Sequence, residues 1–344
     1  MKKGILICSL LLGSFVLYTF LSTGFFRSIN TTFAQQVWQR IPVVGAEDIV
    51  VPEGKDFALI SSTDRRHYPP KAQEKGGLYY LSLNDSVLSP VLLAPNRTTP
   101  FAPHGIDVWA ASDSTFLVLA INHVGKTHQI EQFRLKQKQL TPIKTWTHPL
   151  MVQPNDVVWI SPEEFYFTND HGYTDGLGKV IEEYGGMAWS SVIHVKNGVF
   201  QKVADGIAYA NGIAHDKKRE LLYVASPRHF LVKVYARHTD GTLTFIENIP
   251  AGTGVDNITL DGQGRLWIGA HPNLLRFQAY AQGKVPHAPS EILRIDYKEK
   301  GNYTVEVMAL DDGTTLSGAT VAVPYQDKVL VGNVMDDSVV ILQQ

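Results

Sequence analysis

Six places along the chain repeat a short pattern in which a polar residue stands two positions before an aliphatic residue or alanine. Successive copies begin 45 to 61 residues apart, about 54 on average. If the fold brings equivalent copies together, carboxylate and amide oxygens will share one place. The copies are Glu47-Asp48-Ile49, His104-Gly105-Ile106, Asn155-Asp156-Val157, Asn211-Gly212-Ile213, Asp256-Asn257-Ile258 and Ser317-Gly318-Ala319.

Oxygen ligands of this kind suit a hard cation such as Ca²⁺. Glu47 and Asp256 would bring two negative charges, while Asn155, Asn211 and Asn257 would add ligand oxygens without adding charge. Zinc prefers more His or Cys. Asn and Asp are also ordinary turn residues, but the set contains glutamate and histidine, which form turns poorly. The repeat therefore predicts a calcium site.

A second cation site is predicted immediately behind the first. Asp48 and Asp156 each follow a predicted ligand by one residue. Two buried carboxylates without a partner would be costly, and a cation held by them and by a backbone carbonyl such as that of Ile106 would remove this cost. Such an ion would have a structural role.

His104 is the candidate for proton transfer at this site. A calcium ion whose protein ligands all lie on the channel side could polarise a carbonyl group and stabilise the oxyanion that forms when water attacks it. The water needs a base, and the His104 side chain titrates near neutrality. A nucleophilic serine has little support, because the chain contains no Gly-x-Ser-x-Gly motif. Histidines that stand in no such context, such as His128, His148, His229, His238 and His287, are expected at the surface.

Short runs rich in β-branched and aromatic residues follow each copy of the repeat by about ten residues, and no long amphipathic helix interrupts them. Six copies at this period predict an all-β fold, a six-bladed β-propeller whose innermost strands carry the repeat to one face of the channel. Seven shorter blades would also fit the length, but the chain has six copies and no Trp-Asp dipeptide. The runs are 57–60, 116–119, 165–167, 221–224, 266–268 and 329–331.

Composition narrows the classes of function. The 344 residues include 31 Lys and Arg against 33 Asp and Glu, so no basic excess points to nucleic acid. The single cysteine, Cys8, lies in an apolar N-terminal run. The rest of the chain therefore has no disulfide and no thiolate metal site, and no obligate protein partner is evident.

The N-terminal run from Gly4 to Phe26 has no charged residue and exceeds the ~20 residues that a membrane-spanning helix needs. Lys2 and Lys3 before it predict that the N-terminus stays inside and the remainder is exported. We therefore expect a signal-anchor in residues 1–27 and a single propeller domain in 28–344 on the extracytoplasmic side. A signal peptide cleaved near 22–24 or after Ala34, giving a secreted or periplasmic protein, is the alternative.

With these residues in view, the chain resembles the paraoxonase/arylesterase family of calcium-dependent six-bladed propellers from about Gly45 to the C-terminus. Eight motifs in register carry the resemblance. They are Glu47-Asp48, Pro103-His104-Gly105-Ile106, Asn122-His123, Pro154-Asn155-Asp156, Thr168-Asn169-Asp170-His171, Ala210-Asn211-Gly212-Ile213, Val255-Asp256-Asn257-Ile258 and the segment from Trp267 to Asn273.

The resemblance implies hydrolysis of aryl esters and lactones with two calcium ions. It implies a catalytic calcium and a structural calcium on the same two sets of residues that the repeat suggests. His123, at the end of the strand after His104, would orient His104 or shuttle its proton, with Asp256 as a competing base or nucleophile. The expected pocket residues are Tyr68, His171, Tyr209 and His271.

The chain also departs from the family. It lacks the cysteines that join the chain ends in animal members, and Ala270 replaces their free cysteine. The wall and lid segments, 61–77 and 172–190, share little with the family, so the preferred substrate does not follow. Two alternatives stay open, namely a gluconolactonase-like or strictosidine-synthase-like propeller and a non-catalytic binding propeller stabilised by calcium.

Overall fold

In the computed structural model, which describes residues 2–32, 36–67, 76–124 and 127–344, nearly all regular structure is β-strand. The described strands form six antiparallel sheets of four strands each. The first three sheets follow the chain, innermost strand first. They are β2–β5 (Ala46–Val50, Phe57–Ser62, Gly77–Ser82, Pro90–Leu92), β6–β9 (Pro103–Ser112, Thr115–Val124, Thr127–Lys136, Gln139–Trp146) and β10–β13 (Pro154–Ser161, Glu164–Asn169, Ser190–Lys196, Val199–Ile207).

The innermost strands of all six sheets form a closed ring, because each contacts the next and the last contacts the first. This arrangement confirms the predicted six-bladed β-propeller. The remaining strands are β14–β17 (Ile213–Asp216, Leu221–Ser226, Leu231–Arg237, Leu243–Pro250), β18–β21 (Gly254–Leu260, Leu266–His271, Ser290–Glu299, Asn302–Asp311) and β22–β24 (Ala319–Tyr325, Lys328–Asn333, Ser338–Gln343), joined by β1 (Val37–Pro42).

The ring is closed by the two ends of the propeller sequence. Strand β1 pairs antiparallel with β24 and becomes the outermost strand of the sixth blade. Ile41 of β1 packs in one aliphatic cluster with Ile49 of the first blade and Val321 of the sixth. Because apolar clusters of this kind lie between neighbouring blades, burial of these side chains holds the first blade to the last.

Three α-helices accompany the strands in the part of the chain that the structure describes. The first, α1 (Lys2–Ser22), is long and apolar enough to cross a membrane, and its side chains are mostly exposed. The other two, α2 (Gly176–Gly185) and α3 (Leu274–Ala281), interrupt the third and fifth blades after their second strands. Both short helices lie on the face where the innermost strands begin, and residues of both line the cavity described below.

The segment that follows α1 is fastened to the propeller. The Thr23 carbonyl accepts a hydrogen bond from the Leu274 amide at the start of α3 (2.9 Å). Arg27 makes a two-point ion pair with Glu291 of β20, at 2.6 and 2.7 Å. The Glu291 side chain is 1% exposed, so this ion pair is shielded from solvent on one side. The C-terminal end of α1 is therefore held next to the fifth blade.

Arg228 joins α1 and α2. Its guanidinium donates to the carbonyl of Ser22 at the end of α1 (3.0 Å) and to the carbonyls of Glu183 (2.8 Å) and Tyr184 (2.7 Å) at the end of α2. The last carbonyls of a helix have no partner within the helix. One buried arginine thus satisfies the C-terminal ends of both helices and couples them.

Candidate active site

A cavity of about 790 Å³ opens at the face where the innermost strands begin. Most of the residues that the sequence repeat identified line this cavity, so the prediction that they converge is confirmed. Those that line it directly are Glu47, His104, His123, Asn155, Tyr209, Asn211, Asp256 and His271. Asp48, Asp156, His171 and Asn257 are buried immediately behind this lining.

β-Bulges aim the polar residues at the channel. In β2, β6, β10 and β18 the pairing with the next strand slips by one residue at the two positions of the repeat. A bulge takes residues out of the regular ladder and redirects their side chains. The sixth blade has its bulge between Ala319 and Val321, so Thr320 is the equivalent residue. The assignment of Ser317 was therefore wrong, since its hydroxyl accepts the Ala288 amide instead.

Among the described residues, four buried side-chain oxygens at the floor of the cavity have no hydrogen-bond partner, and they come from four different blades. Two of the three asparagines use their amide nitrogens within the site, because Asn257 Nδ2 donates to Glu47 Oε1 (2.8 Å) and Asn155 Nδ2 donates to Asp170 Oδ2 (3.2 Å). These two amides are thereby fixed with their oxygens unpaired. The four atoms are Glu47 Oε2, Asn155 Oδ1, Asn211 Oδ1 and Asn257 Oδ1.

Unpaired buried oxygens are unfavourable unless something supplies positive charge. A hard cation that takes carboxylate and amide oxygens fits this set. Among the described residues, no group of three or more His, Cys, Asp or Glu side chains could hold a metal ion. The candidate ligand set therefore depends on its asparagines and resembles the preference of calcium more than that of zinc.

The carboxylates of the site repel one another. Burial raises the pKa of Glu47 to about 8; Arg65 opposes this rise, and Asp48 and Asp256 add to it. Burial likewise raises the pKa of Asp48 to about 7. These shifts reflect negative charge that water cannot solvate, so a bound cation would favour the ionised forms of these carboxylates.

Asp48 and Asp156 link neighbouring blades. Asp48 accepts the amides of Ile49 and Ile106, both at 2.8 Å. Asp156 accepts the amides of Val157 and Ile213, both at 2.7 Å. The three residues predicted for the second cation thus lie together, although Ile106 contacts Asp48 through its amide. Asp48 thus joins the first blade to the second, and Asp156 joins the third blade to the fourth.

Asp107 makes the same kind of bridge without belonging to the candidate cation sites. Its oxygens accept the amides of Val108 (2.7 Å) and Trp159 (2.6 Å), which joins the second blade to the third. Burial raises the pKa of Asp107 to about 6. Asp107 thus shows how such a carboxylate joins two blades at a place where no ion is proposed.

His104 meets an arginine that the sequence did not identify. Arg65 Nη2 lies 3.0 Å from His104 Nδ1, and the arginine is held by the carbonyls of Gly45 (3.2 Å) and Pro103 (3.0 Å). The other ring nitrogen, Nε2, lies 3.5 Å from Glu47 Oε1. Burial, together with Arg65 and two nearby histidines, lowers the pKa of His104 well below its usual value.

His123 pairs with His128. Their rings stack edge to face, and the two Nδ1 atoms are 2.8 Å apart, so one ring donates to the other. The His123 ring also packs edge to face on the His104 ring, with 5.0 Å between the two ring centroids. Burial and His128 lower the pKa of His123 to about 3. The expectation that His128 lies at the surface was wrong, since it is the cross-strand partner of His123 and lines the cavity.

Of two further predicted pocket residues, Tyr209 forms part of the cavity wall and His171 lies buried behind it. His171 Nδ1 lies 2.6 Å from Asp170 Oδ1, and the ring packs edge to face on Tyr209. Burial disfavours a charged His171, but Asp170 and Glu183 outweigh it and raise the pKa of His171 to about 9. Tyr209 has a φ of 63°, a left-handed conformation that tyrosine rarely adopts and that functional sites retain.

His271 fixes Asp256. Its Nε2 donates to Asp256 Oδ2 (2.8 Å), and its ring stacks on Phe277 of α3. This leaves the second oxygen of Asp256 available toward the ring of ligands. Tyr68, the fourth predicted pocket residue, lies outside the described residues. The sequence missed Arg65 and His128 because neither belongs to the repeat.

Comparison with known proteins agrees with this geometry. The Arylesterase family model matches residues 72–341. Serum paraoxonase/arylesterase 1 is 33% identical over 298 residues in Mus musculus and over 300 residues in Homo sapiens, covering 84% of this chain and 83% of the relative in each case. Serum paraoxonase/arylesterase 2 of Gallus gallus is 32% identical over 301 residues with the same coverage.

Solved structures of lower identity share the fold. A putative gluconolactonase superposes with a TM-score of 0.56 at 14% identity, covering 93% of this chain and 94% of that one. Regucalcin of Agrobacterium tumefaciens gives 0.52 at 15% identity, covering 90% and 93%. At such identities the likeness concerns the propeller alone, whereas the sequence relatives determine the family. The chain belongs to the paraoxonase/arylesterase family and is a hydrolase of carboxylic esters.

Proposed function

We propose that the protein is a calcium-dependent hydrolase of aryl esters, lactones or both. The observation that carries the proposal is the set of four unpartnered oxygens at the floor of the cavity. A first calcium would be held by Glu47, Asn155, Asn211, Asp256 and Asn257. A second, structural calcium would be held by Asp48, Asp156 and the carbonyl of Ile106. When bound, the first calcium would polarise a carbonyl group and favour the oxyanion.

The protein's own groups would position the reactants and move protons. His104 and His123 line the cavity beside the ring, and burial lowers the pKa of both imidazoles, which favours their neutral forms. A neutral imidazole can accept or donate a proton, so the pair is proposed to supply a base for the attacking water and a hydrogen-bond donor to the carbonyl oxygen. Asp256 is the competing base, with one oxygen already occupied by His271.

The cavity suits a small substrate with an apolar part. Its volume of about 790 Å³ lies within the range of small-molecule sites. Tyr209, just before the fourth blade, and Phe277 of α3 in the fifth blade supply aromatic surface, and Leu274 of α3 adds an aliphatic wall. An aryl ring or the carbon skeleton of a lactone could pack there with its carbonyl group directed to the floor.

The test of the proposal is hydrolysis of a panel of aryl esters, aliphatic lactones and sugar lactones, each with and without EDTA. We expect turnover of aryl esters or aliphatic lactones, complete loss in EDTA, and recovery when Ca²⁺ is added back. Magnesium is the control, because it demands a smaller octahedral site and should not restore activity.

Two results would contradict the proposal. A folded, calcium-loaded sample that hydrolyses no ester and no lactone would favour a binding propeller. Activity that survives EDTA at low protein concentration would exclude the calcium dependence. A sugar lactone as the sole substrate would favour the gluconolactonase-like alternative.

We also propose that α1 is an uncleaved anchor with the propeller on the extracytoplasmic side. Cleavage near 22–24 would remove the carbonyl that Arg228 binds and break the segment that Thr23 fastens to α3. We expect the protein from membranes to have an intact mass that includes residues 1–27 and to resist alkaline extraction. An N-terminus beyond residue 24 in the active protein would instead support the secreted form.

A further inference from the structure

Arg65 defines which nitrogen of His104 can carry a proton. A guanidinium has donors and no acceptor. At 3.0 Å from Arg65 Nη2, His104 Nδ1 must therefore be the acceptor and carry no proton. In a neutral imidazole the single proton then lies on Nε2. This assignment follows from the chemistry of the two side chains and does not require a titration.

The position of Arg65 is fixed independently of His104. Its Nη1 donates to the carbonyl of Gly45 and its Nη2 to the carbonyl of Pro103, the residue before His104. The Pro103 carbonyl also accepts the Thr63 hydroxyl at 3.0 Å. Because the guanidinium is rigid and planar, these two backbone contacts hold the second Nη2 hydrogen toward Nδ1.

The remaining proton of His104 faces the floor of the cavity. Nε2 lies 3.5 Å from Glu47 Oε1, an oxygen that already accepts the Asn257 amide at 2.8 Å. The Nε2 hydrogen thus faces the Glu47 carboxylate, beside the part of the cavity floor where a substrate carbonyl would meet the ring of ligands. A fixed donor there would stabilise negative charge on the carbonyl oxygen during water attack.

We propose that Arg65 is a positioning residue that holds His104 as an Nε2–H donor to the carbonyl oxygen, so that His104 does not take the proton of the attacking water. The proposal rests on the function proposed above. The oxygen of water bonds to the carbonyl carbon, and its proton goes to another base, His123 or Asp256. When the ester C–O bond breaks, that base returns the proton to the leaving oxygen, so His104 keeps its own proton throughout.

The direct test is ¹⁵N NMR of the histidine rings in the full-length protein without substrate. The His104 signals would be assigned by their loss in His104→Gln. We expect an unprotonated Nδ1 and a protonated Nε2. In Arg65→Met the two tautomers should mix, and Arg65→Lys, which keeps a donor, should largely restore the wild-type shifts. A protonated Nδ1 in the wild-type protein would overturn the proposal.

Kinetics provide the second measurement. We expect Arg65→Met to lower kcat about 10- to 100-fold, as for residues that orient a functional side chain, with KM changed little and Arg65→Lys recovering most of the loss. Wild-type kcat in Arg65→Met would overturn the proposal. Thermal unfolding confirms that each variant is folded.

A neighbouring arginine is the matched control. Arg66 packs on Tyr280 and donates to the Met335 carbonyl, without contacting His104. Arg66→Met should leave the His104 nitrogen shifts unchanged, and a shift equal to that of Arg65→Met would overturn the proposal. Because the tautomer is measured without substrate, wild-type protein that hydrolyses nothing but shows the expected shifts contradicts the proposed function alone.

Discussion

Replacing Glu47 by glutamine is expected to lower kcat/KM by about 100-fold or more at a fixed free calcium concentration. Glu47 supplies one of two formal negative charges in the proposed ring, and its Oε2 is one of the four unpartnered oxygens. In glutamine the atom at this place becomes an amide NH₂ group if Oε1 keeps accepting the Asn257 amide. A donor would then face the cation, so calcium affinity should fall together with activity.

The same substitution should have the opposite effect on the stability of the calcium-free protein. A buried carboxylate whose charge Arg65 offsets only in part is removed, and the new NH₂ group can donate to the unpaired amide oxygens nearby. We therefore expect Glu47→Gln to raise the unfolding temperature measured in EDTA and to abolish the further rise that calcium gives the wild-type protein. Differential scanning calorimetry with and without calcium measures both.

Glu131→Gln is the control for this prediction. Glu131 is also buried, but its oxygens are paired with Arg97 (2.9 Å) and with the Asn122 amide (2.6 Å), away from the ring. Loss of its charge should lower stability with and without calcium equally, and calcium should stabilise this variant as it does the wild type. If Glu47→Gln behaved like Glu131→Gln, the assignment of Glu47 as a ligand would be wrong.

The polar repeat predicted the fold and the ring because a propeller uses one structural unit six times. Equivalent residues at the start of each innermost strand meet at the axis, so spacing alone locates them. The prediction was wrong for the sixth blade, where Ser317-Gly318-Ala319 matches the pattern in sequence but does not carry the equivalent residue. The actual equivalent, Thr320, is marked by a bulge, and a bulge is a pairing feature that one strand's sequence does not show.

Contacts that do not repeat could not be predicted in this way. His128 reaches the site because it stands opposite His123 on the neighbouring strand, and no motif in the sequence marks this register. Arg65 arrives from the connection after β3, and the equivalent connections of the third and fifth blades differ from it because they contain α2 and α3. The closure of the ring by β1 depends on pairing between residues about 300 positions apart, such as Ile41 with Val339.

The contacts between the N-terminal segment and the propeller could not be predicted from the sequence either. Apolarity and the two lysines predicted an anchor as a separate N-terminal unit. The structure shows instead that α1 shares Arg228 with α2 and that Arg27 is bound by Glu291. These are single polar contacts between distant segments, and such contacts have no periodic signature. The wall of the cavity therefore includes Thr23, a residue that belongs to the N-terminal segment.

Removing calcium is expected to lower the unfolding temperature of the wild-type protein by roughly 5–10 °C. A ligand at 100 times its Kd stabilises the folded state by about 2.7 kcal/mol, and for domains larger than 150 residues each kcal/mol shifts the midpoint by about 2–4 °C. Much of this effect should come from the second ion, since Asp48 and Asp156 each join two blades and an ion between them would unite four.

Asp156→Asn and Asp107→Asn together separate the effect of the ion from that of the bridge. Each carboxylate accepts two backbone amides, one of them from the next blade. Asparagine can accept only one of the two, so each variant leaves one buried amide unpaired, at a cost of about 1–3 kcal/mol. In EDTA the two variants should therefore lose similar stability.

The effect of added calcium on the unfolding temperature should distinguish the two variants. Asp107→Asn should keep the full calcium-dependent rise in unfolding temperature, because Asp107 belongs to neither proposed ligand set. Asp156→Asn should lose most of it, because the amide replaces a charge that the second ion needs. Equal responses of the two variants to calcium would mean that Asp156 acts only as a bridge between blades. The second ion would then have no support, while the first, with its own ring of unpaired oxygens, would be unaffected.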